Sequence, residues 1–166
     1  MFEIDVNSNS TPEVYYQELN DQLAGLLTGE RDLICNAAQF SAFIMQTVAD
    51  LNWAGFYFAR NEALVLGPYV GKVACTRIPF GRGVCGAAAL HQETQRVEDV
   101  HAFSGHIACD SASASEVVIP VVVEGRLVGV FDMDSPSTAR FSATDQIGLE
   151  RLVDTFVAAT DFTWSL

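Results

Sequence analysis

The sequence predicts an α+β domain in which a mainly antiparallel sheet is flanked by helices. Two helical segments come first, strands that pair as hairpins follow, and a helical segment closes the chain. Hairpins join antiparallel neighbours, and helices kept apart from the strands indicate an α+β fold rather than an alternating βαβ chain. A length of 166 residues and an apolar content of 49% fit one domain over 1–166, with 1–10 as a loose N-terminal segment.

Apolar residues at three- to four-residue spacing, together with start signals, predict three main helices. Pro12 after Thr11 opens the first helix, and the second spans 31–50. Ser142 begins the closing helix, with Asp145 as its partner in a capping box.

Strand patterns occupy the middle of the chain, where β-branched and aromatic runs alternate with turn residues. The turn 60–62 and the loop 124–126 join the hairpin strands, and 98–114 forms a long loop of the kind that is usually functional. The predicted strands span 53–59, 63–70, 72–78, 94–97, 116–123 and 127–134, and an Ala-rich helix spans 84–91.

Charge and hydrophobicity exclude several classes of function. Nine Lys and Arg against 21 Asp and Glu give a net charge of −12, which disfavours nucleic acid and anionic membranes as partners. The N-terminus lacks a basic region followed by an apolar one, so it does not predict a secretion signal. The longest uncharged stretch, 33–49, is too short and too polar to cross a membrane. We therefore expect a cytoplasmic protein.

The chain has four cysteines, Cys35, Cys75, Cys85 and Cys109. Cytoplasmic thiols stay reduced, so a structural disulfide framework is not expected. A single cysteine is more often a buried structural thiol, but three of these fall in the half that is expected to line a cleft. Cys109 lies in the long loop, where an accessible thiolate could act as a nucleophile.

Zinc binding is an alternative interpretation of the same region. The possible ligands are Cys75, Cys85, His101, His106 and Cys109. Only His106 and Cys109 have the spacing of a ligand pair, which makes zinc the weaker hypothesis.

The stretch 81–86 matches G-x-G-x-x-G. A dinucleotide site also requires a βαβ unit and an acid about 20 residues further on, and neither is predicted here. The favoured interpretation is a tight turn into a helix, which could still offer backbone N–H groups to an anion.

Three acids form a further group. Asp132 and Asp134 lie two residues apart at the end of a strand, so they share a face, which continues through Val130 and Val128. A three-residue hairpin loop, or one bulge, would place Glu116 on that face, opposite Asp134. The acids are then either a strand-end group at the solvent edge or a socket for a cationic ligand group, and we expect all three in one pocket.

Trp53 and Tyr57 share one face of the first strand, with Gly55 between them. Aromatic residues in strands are more often core than ligand site. The small glycine nevertheless predicts a slot between the two rings.

Six stretches together carry a resemblance to a known family: NWAGFY, LVLGPYVGK, ACTRIPFGRGVCG, RVEDVHAFSGHIACD, SEVVIPVV and GVFDMDSP. From about residue 12 to residue 160 the chain resembles the free methionine-(R)-sulfoxide reductases, a family built on the GAF fold. The resemblance implies a six-stranded antiparallel sheet with packed helices, a homodimer, free methionine sulfoxide as substrate and no cofactor beyond an external thiol reductant such as thioredoxin.

The resemblance also implies roles for individual residues. Cys109 matches the nucleophile, Cys75 the usual resolving cysteine, and Cys85 a third cysteine that can join disulfide exchange. The acids that bind and protonate substrate match Glu116, Asp132 and Asp134, and the aromatic wall matches Trp53 and Tyr57.

The chemistry is consistent with these residue types. A sulfoxide oxygen leaves only when protonated, so an acid such as Glu116 must act with a thiolate such as Cys109. The sulfenic acid formed on sulfur then condenses with a second thiol, and a disulfide reductant restores both thiols. The alternative is a non-catalytic GAF domain that senses a small ligand or redox state.

Overall fold

The computed structural model describes residues 3–5, 10–105 and 111–163. Four helices, six strands and one 3-10 turn lie in this part of the chain. In chain order they are α1 Pro12–Leu26, α2 Leu33–Thr47, β1 Trp53–Arg60, β2 Ala63–Gly71, β3 Arg77–Pro79, α3 Gly83–His91, β4 Gln95–Val97, the 3-10 turn Val100–Ala102, β5 Ser115–Val123, β6 Arg126–Ser135 and α4 Ala143–Ala159. None of these helices has the length and apolar character that crossing a membrane requires.

The six strands form one sheet in the order β3-β2-β1-β6-β5-β4, and every neighbouring pair is antiparallel. Helices α1, α2 and α4 bury their apolar residues on one face of this sheet. The short helix α3 covers the other face. The predicted α+β class with a mainly antiparallel, six-stranded sheet is confirmed.

The helix start signals act as the sequence indicates. Thr11 caps α1 by accepting a hydrogen bond from the Val14 N–H, and Ser142 and Asp145 form the reciprocal capping box of α4. Helix α2 is shorter than the predicted 31–50. It begins after Asp32, whose side chain accepts from a backbone N–H, and the chain turns at Asp50, which has a φ of 63°.

The N-terminal segment is described only in part, at residues 3–5 and 10. Asp5 exchanges two hydrogen bonds with the Gln22 side chain of α1, at 2.9 and 2.7 Å. These bonds hold Asp5 against α1.

The strand predicted over 72–78 is wrong for most of its length, because only Arg77–Pro79 pair with β2. The carbonyl of Lys72 accepts a hydrogen bond from the Trp53 indole N–H at 3.1 Å instead of joining a strand ladder. Val73 and Ala74 then line a pocket. Residues 72–76 therefore leave the sheet and form one edge of this pocket, which we call the lip.

The β5–β6 hairpin reaches the predicted register by a different route. Its turn has two residues, Glu124 and Gly125, both with positive φ as a tight hairpin turn requires. A bulge beside Val121 and Val122 restores the parity, so that Glu116 pairs with Asp134, as predicted. The three-residue loop is thus wrong, and the alternative of one bulge is what occurs.

The same bulge corrects the face assigned to Val128. The alternation of side chains predicts Val128 beside Val130 on the face of the two aspartates. Val130 does lie there, but Val128 packs into the core beneath α1, α2 and α4, and Leu127 takes the place on the other face. One extra residue inverts the alternation of side chains beyond it.

Candidate active site

A narrow pocket opens between the sheet and α3, on the face opposite the three long helices. Strands β1, β5 and β6, the start of α3 and the lip after β2 all contribute to its wall. The lining residues are Trp53, Tyr57, Val73, Ala74, Ile78, Arg82, Gly83, Val84, Cys85, Ser113, Glu116, Asp132 and Asp134. Six of the residues singled out from the sequence thus meet in one pocket.

The three acids lie side by side on the floor of the pocket. Glu116 and Asp132 are each only 6% exposed, and Asp134 is half-buried. Polar atoms of Glu116, Asp132 and Cys85 all lie within 4.8 Å of one another. Oδ1 of Asp132 is buried and has no hydrogen-bond partner among the described residues. A buried, unpartnered carboxylate oxygen that faces a cavity is suited to a ligand that donates a hydrogen bond.

Glu116 and Asp132 both have raised pKa values. Burial raises the pKa of Glu116 well above its usual range, and the charges of Asp132 and Asp134 and a hydrogen bond to Asp132 raise it further. Burial raises the pKa of Asp132 to about 7, partly offset by hydrogen bonds with Cys85 and Glu116. Of the two, Glu116 is therefore the carboxyl whose surroundings favour the protonated form most strongly, with Asp132 as its hydrogen-bond partner.

Cys85 lies in the first turn of α3, where its thiol is free and buried. Its Sγ approaches Oε1 of Glu116 at 3.9 Å. Burial and the charge of Asp132 raise the pKa of the Cys85 thiol well above its usual range. This environment favours a protonated thiol over a nucleophilic thiolate.

The other cysteines occupy different places. Cys75 is half-buried and disulfide-bonded, next to the lining residue Ala74. Cys35 is a free, exposed thiol on α2, away from the pocket face. The expected nucleophile, Cys109, lies outside the described residues, as does His106.

The zinc ligands considered from the sequence do not gather among the described residues. Cys75 is disulfide-bonded, and His101 is exposed on the 3-10 turn. The metal-ligating side chains that do come together in the described part of the chain are Cys85, Glu116 and Asp132.

The aromatic wall differs in one respect from expectation. Trp53 and Tyr57 stack directly, with ring centroids 5.8 Å apart. The expected slot above Gly55 is filled, because Tyr69 of the paired strand stacks on Trp53 at 5.1 Å. A Cβ at Gly55 would lie 2.2 Å from Cβ of Tyr69. Gly55 thus makes room for a ring, and not for a ligand.

The glycine stretch 81–86 is a turn into a helix, as predicted. Gly81 and Gly83 have φ values of 80° and 62°, and α3 begins at Gly83. No side chain caps this helix, and its first residues border the pocket. The backbone N–H groups of the first turn can therefore serve an anionic group of a ligand.

Asn52 and Trp53 anchor the edge of the pocket. The sequence did not single out Asn52, and it predicted only a wall position for Trp53. The Asn52 side-chain amide donates to the Ser113 hydroxyl at 3.2 Å, and the Asn52 backbone N–H donates to the Asp134 carbonyl at 3.0 Å. The Trp53 indole holds Lys72, three residues before Cys75. The start of β1 therefore holds two segments in place. One, at Ser113, follows the long loop, and the other, at Lys72, precedes Cys75. The sequence indicates the anchoring role of Asn52 only by its position, as a polar residue directly before an aromatic strand.

Comparisons with known proteins agree with this geometry. The family model described as GAF domain matches residues 36–161. The free methionine-R-sulfoxide reductase of Escherichia coli is 47% identical over 151 residues, which cover 89% of this chain and 92% of that protein.

The similar solved structures include a sensor protein and a reductase. A putative GAF sensor protein from Burkholderia vietnamiensis is 51% identical with a TM-score of 0.88, covering 91% of this chain and 96% of that chain. The free methionine-R-sulfoxide reductase of Neisseria meningitidis, solved in complex with its substrate, is 38% identical with a TM-score of 0.90, covering 96% of this chain and 95% of that chain. The resemblance stated from the sequence is confirmed: the chain belongs to the free methionine-R-sulfoxide reductase family of GAF domains.

Proposed function

We propose that this protein reduces free methionine-(R)-sulfoxide to methionine through cysteine thiols, with the pocket beneath α3 as its active site. The observation that carries the proposal is the buried acid group at the pocket floor, where Glu116 and Asp132 face a cavity walled by Trp53 and Tyr57. A sulfoxide fits these two parts of the pocket. Its apolar methyl group can pack against the aromatic rings, and its oxygen, which must be protonated, can meet the carboxyl groups.

Glu116 is the proton donor in this proposal. Its burial and the neighbouring negative charges raise its pKa well above the usual range, which favours the protonated carboxyl that can donate. Protonation of the sulfoxide oxygen turns it into a leaving group, and positioned acids of this kind contribute about 10² to 10⁴ in rate.

Cys109 supplies the nucleophile, on the strength of the family resemblance. Its thiolate attacks the substrate sulfur. The protonated oxygen passes from that sulfur to the Cys109 sulfur as the S–O bond of the substrate breaks, so methionine leaves and Cys109 becomes a sulfenic acid. A second thiol then condenses with the sulfenic acid, which releases water and forms a disulfide. A dithiol reductant such as thioredoxin returns both thiols, so the sulfoxide loses one oxygen atom for each disulfide formed.

Cys75 is the better candidate than Cys85 for that second thiol. Cys75 is half-buried and disulfide-bonded, whereas Cys85 is buried and the raised pKa of its thiol keeps it protonated. We assign Cys85 to the pocket wall as a neutral thiol beside Glu116, with disulfide exchange as a secondary role.

A free amino acid fits the acids better than a methionine within a protein does. Only the free form has an α-ammonium, and Asp132 and Asp134 can pair with it. The unpartnered Oδ1 of Asp132 is the natural acceptor. The substrate carboxylate would lie at the N–H groups that open α3, which no side chain caps.

The cycle sets further expectations. It needs no metal or organic cofactor, only an external dithiol, and it needs a reducing compartment such as the cytoplasm. We propose residues 1–166 as one catalytic domain, and a homodimer on the basis of the resemblance. Analytical ultracentrifugation measures the assembly directly.

The competing function is a GAF sensor that binds a ligand without changing it, as the name of the Burkholderia relative suggests. The two functions differ in whether bound methionine sulfoxide is consumed. Chromatography of separated free methionine sulfoxide isomers, incubated with protein and dithiothreitol, distinguishes them.

We expect thiol-dependent loss of the R isomer, abolished in Cys109→Ser and lowered about 10² to 10⁴ in Glu116→Gln. Cys35→Ser, which removes an exposed thiol on α2, is the matched control and should keep full turnover. Intact substrate with the unaltered protein, or full turnover in Cys109→Ser, would refute the proposal.

A further inference from the structure

The pocket floor brings together three side chains that can each bind a metal ion. Sγ of Cys85 and one carboxylate oxygen each from Glu116 and Asp132 lie within 4.8 Å of one another. Cys85 comes from the first turn of α3, and the two acids come from the neighbouring strands β5 and β6. Three regular elements therefore hold the three donor atoms in place.

Burial and an unsatisfied oxygen make this group suited to a cation. The three side chains are only 5 to 6% exposed, and Oδ1 of Asp132 has no hydrogen-bond partner among the described residues. No Lys, Arg or His within residues 3–5, 10–105 and 111–163 is buried, so none of them supplies a buried positive charge beside the acids. Buried carboxylates are costly without such a charge, and a bound cation supplies it.

The spacing of the donor atoms fits a small ion. Ligands of a tetrahedral zinc ion, at about 2.3 Å for sulfur and about 2.1 Å for oxygen, lie about 3.4 to 3.6 Å apart. Sγ of Cys85 and Oε1 of Glu116 are 3.9 Å apart. A shift of a few tenths of an ångström, on the order of a side-chain adjustment, brings this pair to the zinc geometry.

The mixture of donors selects the kind of metal. Mg²⁺ and Ca²⁺ bind oxygen ligands, whereas a thiolate together with carboxylates suits Zn²⁺. A thiol that coordinates zinc loses its proton, so the ion replaces the hydrogen of Cys85 and that proton passes to solvent. Three protein ligands leave a fourth position towards the pocket, as in zinc sites that exchange a ligand.

We propose that Cys85, Glu116 and Asp132 form a Zn²⁺ site, and that the ion inhibits the enzyme by occupying the acids. The site itself follows from the geometry, and its inhibitory effect rests on the proposed reductase function. The bound ion takes the carboxyl groups that would protonate the sulfoxide oxygen and accept the α-ammonium. Zn²⁺ and substrate therefore exclude each other, and the ion is an inhibitor rather than a cofactor.

The first test measures metal binding by the full-length protein in its disulfide form, where Cys75 has no free thiol and no added reductant competes for the metal. The probe is Co²⁺, which takes the ligands of zinc and gives an ultraviolet charge-transfer band when a thiolate binds it. We expect one equivalent of Co²⁺ to bind with this band, and Zn²⁺ to displace it.

Three variants locate the bound ion. Cys85→Ser should abolish the band, and Asp132→Asn should weaken Co²⁺ binding about tenfold or more, since even outer-shell changes cost about 10- to 100-fold. Cys35→Ser removes the exposed thiol of α2 and is the matched control that should keep the band. A band that persists in Cys85→Ser, a band lost in Cys35→Ser, or unchanged affinity in Asp132→Asn would overturn the site.

The second test measures inhibition in a single turnover, without a chelating reductant. Fully reduced protein, freed of reductant, is mixed with free methionine-(R)-sulfoxide, and the methionine formed is measured by chromatography. One equivalent of Zn²⁺ should suppress most of this methionine, EDTA or excess substrate should restore it, and Mg²⁺ should have no effect.

The ratio of rates with and without Zn²⁺ should return towards one in Cys85→Ser, whatever the rate of that variant. Inhibition that is undiminished in Cys85→Ser, or no inhibition when the site is saturated, would overturn the inhibitory role. Failure of the metal-free protein to form methionine would instead refute the proposed function, and the Co²⁺ band would still report the metal site.

Discussion

The two faces of the sheet are built on opposite principles. The face beneath α1, α2 and α4 is a continuous apolar core whose largest side chains are fully buried phenylalanines. The face beneath α3 contains Glu116, Asp132 and a pocket, and within the described ranges a single short helix covers it. Stability is concentrated on the first face and chemistry on the second, because buried acids lower the free energy of unfolding and a sealed core offsets that loss.

The aromatic cluster shows how the sealed face is made. Phe40 of α2 lies 4.7 Å from Phe131 of β6 and 5.3 Å from Phe156 of α4, measured between ring centroids. One residue thus joins two helices and the sheet.

The largest effect on stability is expected from Phe40→Ala. Truncation of a fully buried phenylalanine leaves a cavity and costs about 3–5 kcal/mol of the free energy of unfolding. Urea unfolding measures this loss, and turnover of the folded fraction should stay within about twofold because the pocket lies on the opposite face. Phe40→Leu, which keeps most of the volume, should lose less. A loss below about 1 kcal/mol would contradict the claim that the apolar face supplies most of the stability.

The second effect should have the opposite sign. Burial raises the pKa of Asp132 in the folded protein to about 7, above its value of about 3.9 in an unfolded chain. The unfolded state therefore loses this proton first, and the free energy of unfolding falls as pH rises from about 4 to about 7.

Asp132→Asn removes this ionisation, so the variant should be more stable than the unaltered protein at pH 8, by an amount on the order of a few kcal/mol, and similar to it near pH 4. Thermal unfolding across this range measures the difference. Asp154→Asn, an exposed carboxyl on α4, is the control and should follow the unaltered protein. A variant that is no more stable than the unaltered protein at pH 8 would show that the buried, ionised Asp132 does not destabilise the fold.

The smallest effect is expected from Asn52→Ala, at the edge of the pocket. Loss of the bond to Ser113 should cost about 1 kcal/mol of stability. It should lower kcat about tenfold, because the end of the long loop would no longer be held in place. Asn20→Ala removes a comparable bond, to Thr155, between α1 and α4 and should leave kcat unchanged. Equal kcat values for the two variants would remove Asn52 from the positioning of the loop.

Most elements could be predicted from local patterns. The caps at Thr11 and Ser142 act through residues within one helical turn, so the sequence reports them directly. The expected strand over 72–78 was wrong because its first residues bind Trp53, which is distant in the chain, and no local pattern encodes that hydrogen bond.

The pocket shows the same division. Residue spacing predicted a shared face for Asp132 and Asp134, but the position of Glu116 depended on a bulge near Val121. Tyr69 could have been found only from the register that sets it opposite Gly55. Asn52 gives no pattern of its own, since its role comes from a partner that lies far along the chain.

The sequence by itself determined the α+β class, the residue types of a thiol and acid chemistry, and the family. Periodicity, capping and charge are local properties that survive without knowledge of the fold. Tertiary structure alone decided that Glu116, Asp132 and Cys85 meet within 4.8 Å in a buried pocket. The high pKa of Glu116 follows from that meeting, because desolvation and the repulsion of neighbouring charges exist only once the sheet and α3 exclude water.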